Sequence, residues 1–374
     1  MNKSVQAATR FRWVIKIGSA LLTDNGNALA HDSLDKWIGQ IAALRSSGAD
    51  VVLVSSGAVA EGIQRLGWRE RPNTLHDLQA AAAVGQAGLM QSYQARFERF
   101  GLQVAQILLV HEDLSSRRRY LNARQTINSL LGLGAIPIVN ENDSVATDEI
   151  RFGDNDTLAG LVANLVDADK LLILTDQDGV YDSDPRHNPN AKLIRDCNVD
   201  DAKLDAAASG SGGALGRGGM QTKIAAARLA ARSGTSTVIA NGNAENIIER
   251  VARGEACGTL LRNKRKPMAA RKQWLAGGLK IRGKLLLDEG ASRALKNTGV
   301  SLLPVGVTGI AGEFERGDLV SCIDHSGNEI ARGLCNYSAQ EAKKILGKSS
   351  DALSQALGYA GDDEIIHRNN LAIL

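Results

Sequence analysis

Acids and amides crowd one short segment of the chain, residues 140–156, which reads NENDSVATDEIRFGDND. The segment follows residues 135–139, a continuous apolar run that predicts a buried strand. In an open α/β sheet, residues just after the carboxyl ends of strands face the ligand crevice. We therefore expect a site here for a small substrate with an ammonium group, or for a metal ion. A polar turn whose Asp and Asn side chains cap local backbone explains the segment equally well.

A lysine interrupts the first apolar run of the chain, VIKIGSALL. Burying an unpaired ammonium group is strongly unfavourable, so Lys16 is expected to point into the crevice and meet an anion. The alternative is a lysine on an edge strand whose long side chain reaches water.

A second polar motif, VSSGAVAEG, follows the next apolar run. Ser55, Ser56 and Gly57 stand immediately before a predicted helix. Free backbone N–H groups and hydroxyls at such a position can bind an anion, although the same residues could simply cap the helix.

A glycine-rich loop, SGSGGALGRGGMQTKIAAARLA, leads into another predicted helix with Lys223 in its first turns. Glycine lets the backbone approach a polyphosphate closely, while the helix N-terminus and Lys223 supply positive charge. The spacing fits neither the P-loop nor the dinucleotide-binding glycine pattern. The loop therefore predicts phosphate binding of a different kind.

The loop LTDQDGVYDSDPR follows a predicted strand at residues 171–174. Thr175 and Asp176 leave that strand at its carboxyl end, where the loop could cover a nucleotide. A plain surface loop would have a similar composition.

The elements that must position these residues alternate between strand and helix. Apolar runs that predict strands lie at residues 13–17, 51–54, 104–109, 135–139, 171–174 and 237–240, and helical spacing recurs at 33–47, 75–100 and 120–133. This alternation predicts an α/β fold with an open, mostly parallel sheet sandwiched by helices.

The character of the chain changes near residue 262. The segment RNKRKPMAARK is basic, contains a proline and lacks apolar periodicity, which is typical of a linker. Beyond it, short apolar runs at 284–287, 301–305, 319–323 and 329–334 predict a small β-rich domain. We predict a first domain at residues 1–265, a linker at 266–277, a second domain at 278–361 and a C-terminal tail at 362–374.

Composition excludes several classes of protein. A net charge of +3 over 374 residues gives no broad basic surface for nucleic acid or membrane. No apolar run reaches the roughly 20 residues that span a bilayer, and the first residues lack the apolar centre of a secretion signal. Four cysteines without CxxC spacing argue against a disulfide framework or a zinc site. A cytoplasmic protein is expected.

The ordered motifs VIKIGSALLT, VSSGAVAEG, AAVGQAGLM, LNARQTI, IPIVNENDSVAT, FGDNDTLA, LLILTDQDGVY and GGMQTKIAAA resemble the amino acid kinase family. After the linker, LDEGASRAL, SLLPVGVTGIAGEFERGD and ARGLCNYS resemble a PUA domain. The resemblance covers nearly the whole chain and implies an amino acid kinase fold followed by a small β-barrel-like PUA domain. One departure is Arg217, where the family often has threonine.

The resemblance implies roles only at matching positions. Lys16 and Lys223 match the lysines that neutralise the transferring phosphoryl group, and Asp156 matches the carboxylate that organises both. The substrate positions are Ser56, Asp143 and Asn155, with Asn140 and Asp154 as neighbours. The nucleotide positions are Lys16, Thr175, Asp176, Arg217, Gly218, Gly219, Met220, Gln221, Thr222 and Lys223. The ligands of a metal ion stay unknown.

The implied activity is ATP-dependent phosphorylation of the side-chain carboxylate of L-glutamate to L-glutamyl 5-phosphate, with Mg²⁺ bridging the phosphates. This reaction is the first step of proline biosynthesis, and the family resemblance also implies feedback inhibition by proline. We further expect a homo-oligomer.

Two other interpretations stay open. Another member of the same family, acting on acetylglutamate, aspartate or a nucleoside monophosphate, would keep both lysines and change the substrate loop. A protein that binds RNA through its PUA domain is the alternative that is not an enzyme. The low net charge disfavours it.

Overall fold

A computed structural model describes residues 10–23, 29–145, 155–209, 219–263, 281–298 and 300–374. The chain forms two compact units. The first consists of Met1–Leu114 and Arg124–Pro267, and the second of Ser115–Ala123 and Met268–Leu374. The predicted linker lies outside the described residues, and the predicted domain boundaries stay predictions. No helix in the described ranges is long and apolar enough to cross a membrane.

The first unit is built on an eight-stranded sheet with the order β3-β4-β2-β1-β5-β7-β8-β6. Its strands are β1 (Arg12–Ile17), β2 (Asp50–Val54), β3 (Val104–Leu109), β4 (Ile136–Glu141), β5 (Lys170–Thr175), β6 (Asp196–Asn198), β7 (Ser236–Asn241) and β8 (Thr259–Arg262). All pairings are parallel except that of β7 with β8. The six predicted strands and the mostly parallel sheet are confirmed.

Helices connect these strands and cover the sheet. In the described ranges they are α1 (Ser19–Leu22), α2 (His31–Ser46), α3 (Ala58–Arg65), α4 (Leu75–Glu98), α5 (His111–Ser115), α6 (Arg117–Gly132), α7 (Asp156–Leu165), α8 (Lys203–Ser209), α9 (Met220–Ala231) and α10 (Ile247–Ala252). Strand β2 is buried along its whole length. Continuous burial explains why the central strands have unbroken apolar sequences instead of an alternating pattern.

Two glycines allow α3 and α4 to pack with direct backbone contact. A Cβ atom at Gly62 would lie 1.7 Å from the carbonyl oxygen of Ala81, and one at Gly85 would lie 1.8 Å from that of Ala58. No side chain larger than hydrogen fits at either position. The close packing holds the next residue of α4, Gln86, beside the carboxyl end of β4.

The carboxyl ends of β4, β2, β1, β5 and β7 lie at one edge of the sheet, because these neighbouring strands are all parallel. This edge is where ligands bind in open α/β sheets. Helices α7 and α9 begin close to it, since the first residue of α7, Asp156, contacts Lys16 of β1 and Lys223 of α9.

The second unit contains a five-stranded sheet with the order β10-β9-β11-β12-β13. Its strands are β9 (Gly283–Leu287), β10 (Val307–Gly312), β11 (Leu319–Ile323), β12 (Glu329–Leu334) and β13 (Leu371–Ile373), and its other helices are α11 (Glu289–Thr298), α12 (Ala339–Ile345) and α13 (Ser350–Leu357). Both parallel and antiparallel pairings occur in this sheet. The expected small β-rich architecture is thus present, with helices added.

The strand predicted at residues 301–305 is wrong. Leu302 forms only an isolated bridge with Ile366, and Pro304–Gly306 is a 3₁₀ helix. Pro304 has no backbone N–H to donate to a neighbouring strand, and its fixed φ angle suits the start of a helical turn. Strands β10 and β13 were not predicted from the sequence.

The first residues of α6 belong to the second unit by packing. Leu121 is buried with Leu319, Leu334 and Ala372. Leu121→Ala should therefore lower the free energy of unfolding by about 2–5 kcal/mol, since a buried leucine leaves a cavity when truncated. Chemical denaturation would measure the change.

The matched control is Leu133→Ala, because Leu133 follows the end of the same helix and is 83% exposed. Its effect should stay within about 0.5 kcal/mol. Equal unfolding curves for the two variants would contradict the packing assigned to Leu121.

Candidate active site

A buried carboxylate between two lysines forms the centre of the site. Asp156 Oδ1 lies 2.5 Å from the Lys16 Nζ, and Asp156 Oδ2 lies 3.0 Å from the Lys223 Nζ. Lys16 comes from β1, Asp156 begins α7 and Lys223 lies in the first turn of α9. The three charged groups that the sequence places up to 207 positions apart, from 16 to 223, therefore meet at one point.

The charges of this cluster are almost fully shielded from solvent. The exposed fractions are 2% for Lys16, 0% for Asp156 and 4% for Lys223. Burial by itself raises the pKa of Asp156, but the two ammonium groups outweigh it and hold that pKa well below its usual range. Asp156 is therefore ionised, and two ammonium groups face one carboxylate. Ammonium groups held in this way can stabilise an anionic ligand.

The N-terminus of α9 adds to this electrostatic environment. Thr222 Oγ1 lies 2.8 Å from Asp156 Oδ2 and 2.7 Å from the carbonyl oxygen of Gly219. Gly219 is the N-cap residue of α9 and makes no side-chain cap. The dipole of this 12-residue helix places partial positive charge at its first turn, which favours a phosphate group.

Side-chain amides form a hydrogen-bonded chain next to the charged cluster. Asn155 Nδ2 donates to the carbonyl oxygen of Ser55 at 2.5 Å and to Asn140 Oδ1 at 2.7 Å. Asn140 Nδ2 in turn donates to Gln86 Oε1 at 2.8 Å. Asn155 precedes Asp156 directly, so this chain of amides connects the charged cluster to the cavity beside α4.

That cavity has a volume of about 240 Å³. Its walls come from α4, β3 and the segment after β4, and they consist of Ala82, Ala83, Gln86, Ala87, Gln106, Leu108, Glu141, Asn142, Asp143 and Ser144. The volume lies below the roughly 300–1,000 Å³ typical of drug-sized ligands. It suits a small metabolite, and Asp143 offers a carboxylate to a cationic group on it.

The turn after β2 is held rigidly. Ser55 Oγ forms a 2.9 Å hydrogen bond with the hydroxyl of Tyr93, and Ser55 N donates to Val139 O. Burial raises the pKa of Tyr93, so its hydroxyl stays neutral. Gly57 has a φ angle of +92°, which favours glycine. Within this turn, Ser56 is 6% exposed, and its Oγ has no hydrogen-bond partner among the described residues.

The predicted nucleotide residues lie at the end of β5 and the start of α9. Thr175 ends β5, is buried and donates from Oγ1 to Asp176 Oδ1 at 3.1 Å. Neighbouring strand β1 ends directly beside it, since Gly18 N donates to Leu174 O. The nucleotide roles of Thr175, Asp176, Met220 and Gln221 stay predictions.

The structure thus brings several of the predicted site residues together in two adjacent groups. The first group consists of Lys16, Asp156, Thr222 and Lys223. The second consists of Asn140, Asn155 and the carbonyl oxygen of Ser55. Asp154, Arg217 and Gly218 lie outside the described residues. Within the described ranges, no group of three or more His, Cys, Asp or Glu side chains could hold a metal ion.

Sequence reasoning missed two residues of the site, Gln86 and Tyr93. Both lie on α4, which reads as an ordinary apolar helix. A buried glutamine in the small-residue run AAVGQAGLM was the available signal, because a buried polar side chain needs a hydrogen-bonding partner.

Comparisons with known proteins match both parts of the chain. A model of the amino acid kinase family matches residues 11–241, and a model of the PUA domain matches residues 283–357. Glutamate 5-kinase from Pseudomonas paraeruginosa is 58% identical over 363 residues, with 97% of this chain and 98% of that protein covered. Glutamate 5-kinase from Hahella chejuensis is 59% identical over 378 residues, with 100% of this chain and 98% of that protein covered.

A solved structure also aligns with part of this chain. UMP kinase from Bacillus anthracis aligns with 68% of this chain and 96% of its own, at a TM-score of 0.49 and 18% sequence identity. A likeness this weak carries no argument about activity.

Proposed function

Because the chain belongs to the amino acid kinase family, we propose that it transfers the terminal phosphoryl group of ATP to the side-chain carboxylate of L-glutamate. The product is L-glutamyl 5-phosphate, and the reaction is the first step of proline biosynthesis. The observation that carries the chemistry is Asp156 held between Lys16 and Lys223. The choice of glutamate rests on relatives called glutamate 5-kinase that match nearly the whole chain.

The chemistry follows from charge and position. The acceptor carboxylate is the nucleophile, and with an ordinary pKa of about 4.3 it is ionised at neutral pH, so no general base is required. Phosphoryl transfer passes through a loose transition state in which catalysis is mainly positioning and charge stabilisation. Lys16 and Lys223 supply that charge, and Asp156 fixes their positions. ATP enters as its Mg²⁺ complex.

The charged cluster and the cavity beside α4 together orient the substrate. Its reacting carboxylate lies beside Lys16 and Lys223, because phosphoryl transfer takes place there. Its other end reaches the cavity, where Asp143 pairs with the α-ammonium group. Proline also has an α-carboxylate and a neighbouring ammonium group. We therefore propose that proline binds in the cavity beside Asp143 and inhibits the reaction as a feedback inhibitor. We also propose that the protein is cytoplasmic and forms a homo-oligomer.

Turnover assays with one candidate acceptor at a time test the proposal. Purified protein would receive ATP and Mg²⁺ with L-glutamate, N-acetylglutamate, aspartate or uridylate, and ADP formation would be measured. We expect turnover with glutamate to exceed turnover with each of the others. Faster turnover of N-acetylglutamate would instead assign the protein to that substrate, and RNA binding without any turnover would favour an RNA-binding function.

Asp143→Asn should raise the KM for glutamate by about tenfold or more, since an ion pair in a shielded site contributes at least about 1.4 kcal/mol. The KM for ATP should change much less, because Asp143 lines the cavity and not the phosphate end. Steady-state kinetics with each substrate varied in turn gives both values. An equal rise in the two KM values would remove Asp143 from glutamate recognition.

A further inference from the structure

One buried donor on the cavity wall residue Gln86 has no hydrogen-bond partner among the described residues. Gln86 is 9% exposed and lines the cavity beside Asp143. Its Oε1 accepts a hydrogen bond from Asn140, while its Nε2 has no hydrogen-bond partner within the described residues. Leaving a buried amide N–H group unpaired is unfavourable, and a ligand that supplies an acceptor removes this cost.

The orientation of this amide is fixed by backbone groups. The Ser55 carbonyl can only accept, so the group of Asn155 that faces it must be Nδ2. The same Nδ2 donates to Asn140 Oδ1, which also accepts from the backbone N–H of Glu141. Asn140 therefore presents Nδ2 to Gln86, and Gln86 must present Oε1 to Asn140. The Nε2 of Gln86 is thus a buried donor on a residue that lines the cavity.

We propose that Gln86 is a specificity-determining residue that donates a hydrogen bond from Nε2 to the α-carboxylate of the acceptor amino acid. This inference rests on the proposed function. The chain of amides begins at Asn155, next to the phosphoryl-transfer cluster, and leads away from it to Gln86. Gln86 therefore meets the end of the substrate that does not react.

Neighbouring charge supports this assignment. Asp143 lines the same cavity and attracts the α-ammonium group, whereas Gln86 supplies a neutral donor for the α-carboxylate. The two side chains together match the two groups on the α-carbon of a free amino acid. A carboxylate acceptor is bound more strongly than a neutral carbonyl, because hydrogen bonds to charged groups are roughly twice as strong.

The test compares L-glutamate with its α-amide, in which a neutral carboxamide replaces the α-carboxylate. Gln86→Glu keeps the shape and still accepts from Asn140, but it places a carboxylate where the donor was. We expect the ratio of kcat/KM for glutamate to kcat/KM for the α-amide to fall by at least about tenfold, through the KM for glutamate. The kcat for glutamate should change much less, since Gln86 is remote from the transferring group.

Gln91→Glu is the matched control, because Gln91 lies on the same helix, is exposed and lies outside the cavity wall. It adds the same charge, and its substrate ratio should equal that of the wild type. If Gln86→Glu does not fold, Gln86→Met removes the donor without adding charge, and the ratio should fall in the same direction.

Three results would overturn the inference. An active Gln86 variant with an unchanged substrate ratio would overturn it and leave the proposed function intact. A fall in kcat without a change in KM would assign Gln86 a role other than substrate recognition. Wild-type protein that does not phosphorylate glutamate would overturn the proposed function together with the inference.

Discussion

Lys16→Met should lower the kcat of glutamate phosphorylation by at least about a hundredfold, which is the scale of losing one preorganised charge at a transition state. Methionine keeps most of the apolar stem of lysine within the buried strand and removes only the ammonium group. That ammonium group lies 2.5 Å from Asp156 Oδ1, and Lys16 as a whole is only 2% exposed. A cation from solvent therefore cannot easily take its place. Steady-state turnover of ATP with glutamate measures the effect.

Lys170→Met provides the control for this prediction. Lys170 begins β5, the strand next to β1, and its Nζ lies 5.0 Å from the centre of the Trp13 ring at the amino end of the sheet. Burial lowers the pKa of Lys170, yet its charge lies away from the carboxyl edge. The Lys170→Met substitution should therefore leave kcat nearly unchanged. If the Lys16→Met variant turned over at the wild-type rate, Lys16 would be excluded from the mechanism.

Asp156→Asn should reduce both turnover and stability. Removing one partner from a buried ionic cluster costs about 3–5 kcal/mol, because the remaining charges lose their compensation. Here two buried ammonium groups would face a neutral amide. We expect turnover at least about a hundredfold lower than in the wild type, since the positions of both lysines depend on this carboxylate. Urea denaturation and ATP turnover measure the two effects.

The stability difference between wild type and Asp156→Asn should also depend on pH. The folded-state pKa of Asp156 lies below its unfolded value, so ionised Asp156 stabilises the protein above an unfolded pKa of about 3.9. Its contribution is lost as the pH falls through the lower, folded pKa. The difference should thus be constant near neutral pH and become smaller below about pH 4. A difference that does not vary with pH would show that charge is not its cause.

Asp50→Asn separates the loss of stability from the loss of catalysis. Asp50 is 7% exposed and lies within 4 Å of the guanidinium groups of Arg10, Arg12 and Arg45. It begins β2, at the opposite edge of the sheet from Asp156. Asp50→Asn should therefore destabilise the protein while the folded fraction keeps its kcat. Equal losses of kcat in the two variants would indicate general unfolding and contradict a specific role for Asp156.

Much of the first unit was predictable because its central strands are buried on both faces. Such strands need unbroken apolar sequences, and runs such as the one in β2 stand out from the helical spacing around them. Strands β6 and β8 were missed because they have only three and four residues; β6 is an edge strand of the sheet, and β8 is its neighbour. Near a sheet edge, strand formation depends more on packing against neighbouring strands than on the apolar content of the strand itself.

The sequence by itself determined the charged residues of the site. A lysine in an apolar strand, acids after a strand and a glycine loop before a helix each restrict where their side chains can go. These constraints are local, and each predicts a position at the carboxyl edge of a parallel sheet. The resemblance to the amino acid kinase family then named Lys16, Asp156 and Lys223 together before their contacts were known.

Only the tertiary structure decided the neighbours and orientations of the uncharged residues. Gln86 meets Asn140 across 54 positions of sequence, and which end of its amide faces the cavity follows from the backbone groups of Ser55 and Glu141. The packing that brings α4 there depends on the absence of side chains at Gly62 and Gly85. Hydrogen-bond direction depends on relative positions that no local pattern specifies, so the orientation of the Gln86 amide became visible only in the folded chain.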